Sequence, residues 1–132
     1  MNNIDDVIRL TINRLGDALH HQLNLVKDIE NLAHQAAVNP SRINDLKRLL
    51  ANLRDLRERL RNEMNILYRY PINSKELALD AETLVLYYIE AAWKTEHRIL
   101  EMLNRILDTR SDINEVNENK ILAEKLINKL RT

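Results

Sequence analysis

The chain has 132 residues, 45% of them apolar, with 20 basic and 20 acidic side chains, one glycine, two prolines and neither cysteine nor phenylalanine. That apolar content is too high for intrinsic disorder, and the length suits a single domain, residues 1–132, with one sizeable core. One glycine argues against a many-turned β protein and against glycine-rich phosphate loops, while the lack of cysteine removes disulfides, thiolate metal sites and thiol nucleophiles together.

The opening stretch, Met1-Asn2-Asn3-Ile4-Asp5-Asp6, is acidic where a secretory leader is basic. The longest apolar run, Leu84 to Ile89, falls far short of the ~20 residues that span a bilayer. The expectation is a cytoplasmic protein with no membrane partner.

Four helical segments are predicted in chain order. The first runs from about Asn2 to Ala37 and stops before Asn39-Pro40, because a residue preceding proline is pushed out of the α region. Ile4, Ile8, Ile12, Leu15, Leu19, Leu23, Val26, Ile29, Ala33 and Ala37 recur every three or four positions, which makes one amphipathic helix about 50 Å long. Gly16 inside it should cost ~1 kcal/mol relative to alanine and predicts a kink or a close helix contact.

The second segment opens at Pro40-Ser41 and runs to about Tyr70 before Pro71. Leu46, Leu53, Leu60 and Leu67 are spaced by sevens, with Leu49 and Leu56 between them, which is the seam of a coiled coil or of a long bundle helix. Glu63 on that seam favours packing within the chain over an intermolecular zipper.

The third segment is predicted from Ser74, as N-cap, to about Thr109. Leu79, Leu86, Trp93, Leu100 and Leu107 form one apolar row, and Ala78, Val85, Ala92, Ile99 and Ile106 a second beside it. So wide an apolar arc must touch two neighbours, which predicts a central position. The fourth segment opens on a capping box, Asp112 with Glu115, and continues to Leu130. Ile121 and Leu122 fall outside its apolar face and, with Tyr87 on the polar side of the third segment, are the candidate contacts to a partner protein.

Short connectors make sequential helices antiparallel neighbours. The expected fold is all-α, an elongated antiparallel four-helix bundle built from two long helical hairpins. Elongated bundles favour dimers, so a homo-oligomer or a protein partner is expected.

The balanced total charge conceals an uneven distribution. Residues 40–70 carry eight basic and four acidic side chains, whereas residues 1–39 carry three and five, and residues 71–110 five and seven. One account is complementarity between an arginine-rich helix and acidic neighbours. The other is a phosphate-contacting stripe over 42–69, with Lys47, Arg54 and Arg61 repeating by sevens, Arg57 close by, and Arg48 and Arg69 further round. A neutral whole-domain charge weighs against a dedicated nucleic-acid reader.

No catalytic residues, metal ligands or cofactors are predicted. The inward-facing Glu-x-x-His pairs of di-iron bundles are absent, and His20, His21, His34 and His97 read as solvated side chains. The expected function is a non-enzymatic, intracellular helical interaction or self-assembly module; the alternative is a nucleic-acid-associated accessory or coat-like protein using the basic second helix.

Overall fold

The computed structural model of the chain describes residues 3–132, which are 90% helical without strands. Helix α1 spans Asn3–Val38, α2 Ile43–Arg69, α3 Lys75–Tyr87, α4 Trp93–Leu103 and α5 Arg110–Arg131. A single 3-10 turn, Pro40–Arg42, precedes α2, and a π-helical turn, Tyr88–Ala92, joins α3 to α4. The α3, π and α4 stretch is one rod, so four rods make an all-α bundle.

The helix ends follow local chemistry. Asn39 accepts from the Ser41 amide ahead of the Pro40 turn, and the Ser74 hydroxyl accepts from the Leu77 amide at the start of α3. Lys129 closes the far end of α2 from another rod: its Nζ donates to the carbonyls of Leu67, Tyr68 and Tyr70 at 2.6, 2.8 and 2.6 Å. Burial lowers the Lys129 ammonium below the usual lysine range.

The rods are arranged in a ring. Helix α1 packs on α2 and on the third rod, while α5 packs on α2 and on the third rod. The sequential hairpins are antiparallel, as their short connectors require. The other two contacts are parallel. Residue 22 of α1 meets Ala92 and Glu96. In the same way Arg54, Arg57 and Arg61 of α2 meet Asp112, Glu115 and Asn119 of α5, each pair 58 positions apart.

The leucine seam of α2 is spent inside the chain: Leu46, Leu53, Leu56, Leu60 and Leu67 are all buried, and Leu50 and Met64 join them. The third rod departs from its expected pattern. Leu79 is 63% exposed and Ile106 is exposed, whereas Leu77, Ala81, Tyr88, Glu96 and Leu103 are buried. Leu79 lies on the side of α3 opposite Leu77, Ala81 and Val85, and Ile106 lies in the turns beyond Leu103, while the π turn inserts an extra residue that breaks the seven-residue phase between α3 and α4. The rod also ends at Leu103, six residues early, where turns at 104–106 lead to Thr109. Its apolar width serves two neighbours from a position on the ring, not from the centre.

Gly16 neither kinks α1 nor has a positive φ; a Cβ there would meet Leu84 Cδ1 at 3.8 Å, an ordinary contact. Replacing Gly16 with alanine removes backbone entropy from the unfolded chain and adds a methyl group to the interface with α3. Gly16→Ala is expected to raise unfolding stability by about 0.5–1 kcal/mol, read as a higher midpoint in chemical denaturation at unchanged slope.

Candidate functional site

The interior is divided by charge. One apolar cluster contains Leu15, Leu19, Leu60, Met64, Val85 and Leu126, and the other contains Val26, Ile29, Leu50, Leu53, Leu103 and Val116. Between them every rod supplies one buried polar side chain: Gln22 from α1, Arg57 from α2, Glu96 from α4 and Asn119 from α5. Asp112, also buried, completes the layer.

Arg57 is the hub, with 0% of its surface exposed. Its Nε donates to Glu96 Oε2 at 2.7 Å, and its Nη1 donates to Asp112 Oδ1 at 2.8 Å and Glu115 Oε2 at 3.1 Å. Gln22 Nε2 donates to Glu96 Oε1 and to the Ala92 carbonyl, both at 3.1 Å. Asn119 Nδ2 donates to the Arg57 carbonyl, and Asn119 Oδ1 accepts from Arg61 Nε. Arg54 adds a two-pronged contact, Nε and Nη2 to the two oxygens of Asp112 at 2.8 and 3.0 Å. Gln22 Oε1, Arg57 Nη2 and the Tyr88 hydroxyl are buried without a hydrogen-bond partner among the described protein atoms, so the layer contributes less to stability than its ion pairs alone would.

The ionisation of these groups follows from burial against pairing. Burial pushes the Glu96 carboxyl above the usual glutamate range, against the pull of Arg57. Burial also disfavours charge on Arg57, but Glu96 and Asp112 outweigh it and hold the guanidinium protonated. Asp112 behaves oppositely to Glu96: burial works against its charge, yet hydrogen bonds from Arg54 and Arg57 keep its carboxyl below the usual range. Tyr88, beside Glu96, is held neutral by burial and then by that negative charge.

This layer answers the question posed by the basic second helix. The side of α2 that carries Arg54, Arg57 and Arg61 faces α5, and those three side chains bind Asp112, Glu115, Glu96 and Asn119. Arg57 therefore has no surface to offer a phosphate, which corrects its place in a phosphate stripe. Arg48 is bonded to Asp45 at 3.0 Å, Lys47 lines a shallow cleft with Leu107 and Asp108, and Arg69 is exposed in the last turn. These positions do not form one continuous stripe with Arg57. The expected capping box of the last helix is also corrected. The helix starts at Arg110, and Asp112 and Glu115 face Arg57 instead of closing its first turn.

The partner-contact candidates separate. Tyr87 is 45% exposed on α3 and Ile121 is 52% exposed on α5. Leu122 is half-buried and packs against the first apolar cluster, because its side of α5 faces inward, so it belongs to the intrachain core.

Two surface grooves are lined by other residues. One of about 460 Å³ lies between α1 and α2, with His21, Asn24, Asp28, Asn52, Asp55 and Arg59 on its walls. An apolar cleft of about 180 Å³ lies between the ends of α1 and α4, lined by Ala33, Ala37, Met102, Leu103 and Ile106. Among the described residues no three histidine or carboxylate side chains converge on a metal-sized site, and no helix is long and apolar enough to cross a membrane. No protein-family model matches the chain, and neither a curated protein nor a solved structure is significantly similar to it.

Sequence reading missed Gln22, Glu96 and Asn119, although two of the four layer positions carry a legible signal. Gln22 interrupts the row Ile8, Leu15, Ile29, Ala36, and Arg57 interrupts Ile43, Leu50, Met64. A polar residue in an otherwise apolar seven-residue row predicts a buried polar contact. Glu96 and Asn119 lack the signal, because their rows, Glu82, Ile89, Leu103 and Arg105, Asp112, Leu126, are themselves mixed.

Removing the hub leaves Glu96 buried without a cation. Arg57→Met is expected to cost about 3–5 kcal/mol near neutral pH. Glu96 has a folded value raised above its ordinary 4.5, and without Arg57 it rises further. The penalty of its charged form is therefore absent below that ordinary value and grows as pH rises toward the folded one. Denaturation at about pH 7.5 and about pH 5.5 should show a smaller deficit for Arg57→Met in the more acidic buffer. An equal or larger deficit there would contradict the pairing.

Proposed function

We propose that this protein is an intracellular, non-enzymatic helical module whose work is assembly with protein, either a second copy of itself or a partner. The observation that carries the reading is the concentration of exposed large apolar side chains at one end of the bundle. Val7 and Leu10 belong to the first turns of α1, Tyr68 and Tyr70 to the end of α2, and Leu79 to the second turn of α3. The antiparallel α1–α2 hairpin and the parallel contact of α1 with the third rod bring those three stretches to the same end. Scattered exposed apolar residues are ordinary, whereas a concentration of them marks a contact surface.

Size supports the reading. A standard interface takes about 800 Å² from each partner, roughly a tenth of the 7865 Å² that this chain exposes. Tyrosines at such an end supply apolar area with a hydroxyl that remains satisfied at the rim. The charged layer supports a structural role, since its hub is enclosed and its Nε and Nη1 donors are met from within the chain.

Light scattering across a range of protein concentrations tests self-assembly. The expected result is a mass above that of one 15.6 kDa chain, insensitive to added salt, and reduced to the monomer by Leu10→Glu with Leu79→Glu while helicity is kept. A wild-type monomer at the highest concentration overturns self-assembly and leaves a heterologous protein partner. Contact with nucleic acid through the exposed basic positions is the rival. It predicts binding to a short duplex that falls steeply with salt and is lost in Lys47→Glu with Arg69→Glu, two changes that leave the buried layer intact.

A further inference from the structure

The far end of the bundle also carries exposed apolar side chains, and they are of a different kind. Where α1 begins, Val7 and Leu10 project from its surface. Where α1 stops, Val38, Met102 and Ile106 are exposed around the apolar cleft between α1 and α4. That end is concave because α1 presents only the small side chains of Ala33 and Ala37 there, while α4 ends at Leu103, which leaves about 180 Å³ between them. Two projections cannot fill one another, nor can two clefts, whereas a projection fills a cleft.

The two places also lie on different flanks of α1. Val7 and Leu10 stand in the same seven-residue rows as His21, Asn24 and Asp28, with which α1 lines its groove against α2. Ala33 and Ala37 line the cleft against α4. Surfaces at opposite ends and on different flanks are suited to meet when one copy is displaced along the rod relative to the next, not when two copies are related by a two-fold axis through either surface.

Their charges are opposite as well. Asp6 lies one helical turn before Leu10, and neither Asp5 nor Asp6 enters an ion pair among the described residues; Arg14, the next cation in those rows, is a turn farther from the end. On the wall of the cleft Arg105, with His34 across from it, also lacks an ion pair. The carboxylates of that end are already engaged: Asp45 with Arg42 and Arg48, Glu101 with His97, and Asp108 with Arg110. Joining like ends would set Asp5 and Asp6 of two copies together, or two copies of Arg105. Joining unlike ends sets carboxylate beside guanidinium.

We propose that this chain assembles head to tail: Val7 and Leu10 of one copy enter the cleft between α1 and α4 at the far end of the next, with Asp6 turned toward Arg105 of that copy. The proposal rests on the self-assembly reading above and adds which surfaces meet. The apolar contact holds the copies together and the rim charges select which ends join, so screening by salt leaves the assembly in place. Each contact leaves a projection free at one end and a cleft free at the other, so growth continues into a filament or closes into a ring.

Two variants at exposed positions block one surface each. Leu10→Glu places a charge on the projection and leaves the cleft intact; Ile106→Glu places one in the cleft and leaves the projection intact. By light scattering the wild type is expected to exceed the mass of two chains as its concentration rises. Each variant alone should remain at one chain of 15.6 kDa, with helical dichroism unchanged. Mixed in equal amounts, the two should form a complex of two chains that grows no further, because only one intact projection and one intact cleft can meet. If Ile106→Glu alone still associates, if the two variants ignore each other, or if the wild type stops at two chains, the head-to-tail contact is overturned while self-assembly stands. A wild-type monomer at the highest concentration overturns both. Val7→Glu and Met102→Glu block the same two surfaces and replace a variant that loses its helicity.

Discussion

Arg57 is a full guanidinium placed where a bundle normally keeps leucine, and most of the rest of the structure can be understood as the arrangement that makes this tolerable. A buried charge without partners costs several kcal/mol. Here the partners arrive from every direction: Glu96 from α4, Asp112 and Glu115 from α5, with Gln22 of α1 holding Glu96 from behind. A wholly apolar layer of the same volume would be as stable or more so. What the charged layer supplies is alignment, because sliding any rod by one turn would leave a buried ion without its counter-ion. Apolar seams alone permit such slips, as leucine packs acceptably on leucine in neighbouring registers.

That requirement extends to the backbone. The rod gives up regular α-helical hydrogen bonding over Tyr88–Ala92, and the Ala92 carbonyl at the end of that turn accepts from Gln22, which also holds Glu96. Leu100, one turn beyond Glu96, is fully buried beside it on the inward face of α4. The π turn and the ion pair are therefore one feature seen at two levels. Local irregularity in the chain is accompanied by tertiary contacts made at its end, from Gln22 to Ala92 and Glu96.

The charge pattern takes on the same meaning. The net excess of basic residues in 40–70 is used along a ladder with α5, where Arg54, Arg57 and Arg61 meet successive turns of a parallel neighbour. Parallel packing matters here. It keeps donors and acceptors rising together through several turns, so one helix can satisfy three arginines of another. The outer side of α2 is left with intrahelical pairs such as Arg48 with Asp45, which contribute little to stability at a solvated surface.

From the amino-acid pattern alone the helical class, the four rods, the antiparallel hairpins and the inward leucine seam of α2 are all determined, because helix period and short connectors are local properties. Gly16 suggested a close helix contact from its lack of a side chain, but the structure leaves ordinary room for a Cβ there. The polar interruptions at Gln22 and Arg57 stood in readable rows, yet their partners are a matter of which rods become parallel neighbours. The ring order, the end of α4 at Leu103, the use of Asp112 as an ion partner and not as a cap, and the place of Glu96 were decided by tertiary structure. Apart from the end of α4, which Thr109 closes through Leu100 and Asn104, each depends on energies exchanged between residues tens of positions apart. A phase slip of one residue at the π turn is invisible to any periodic reading, since it is stabilised by groups on three other helices.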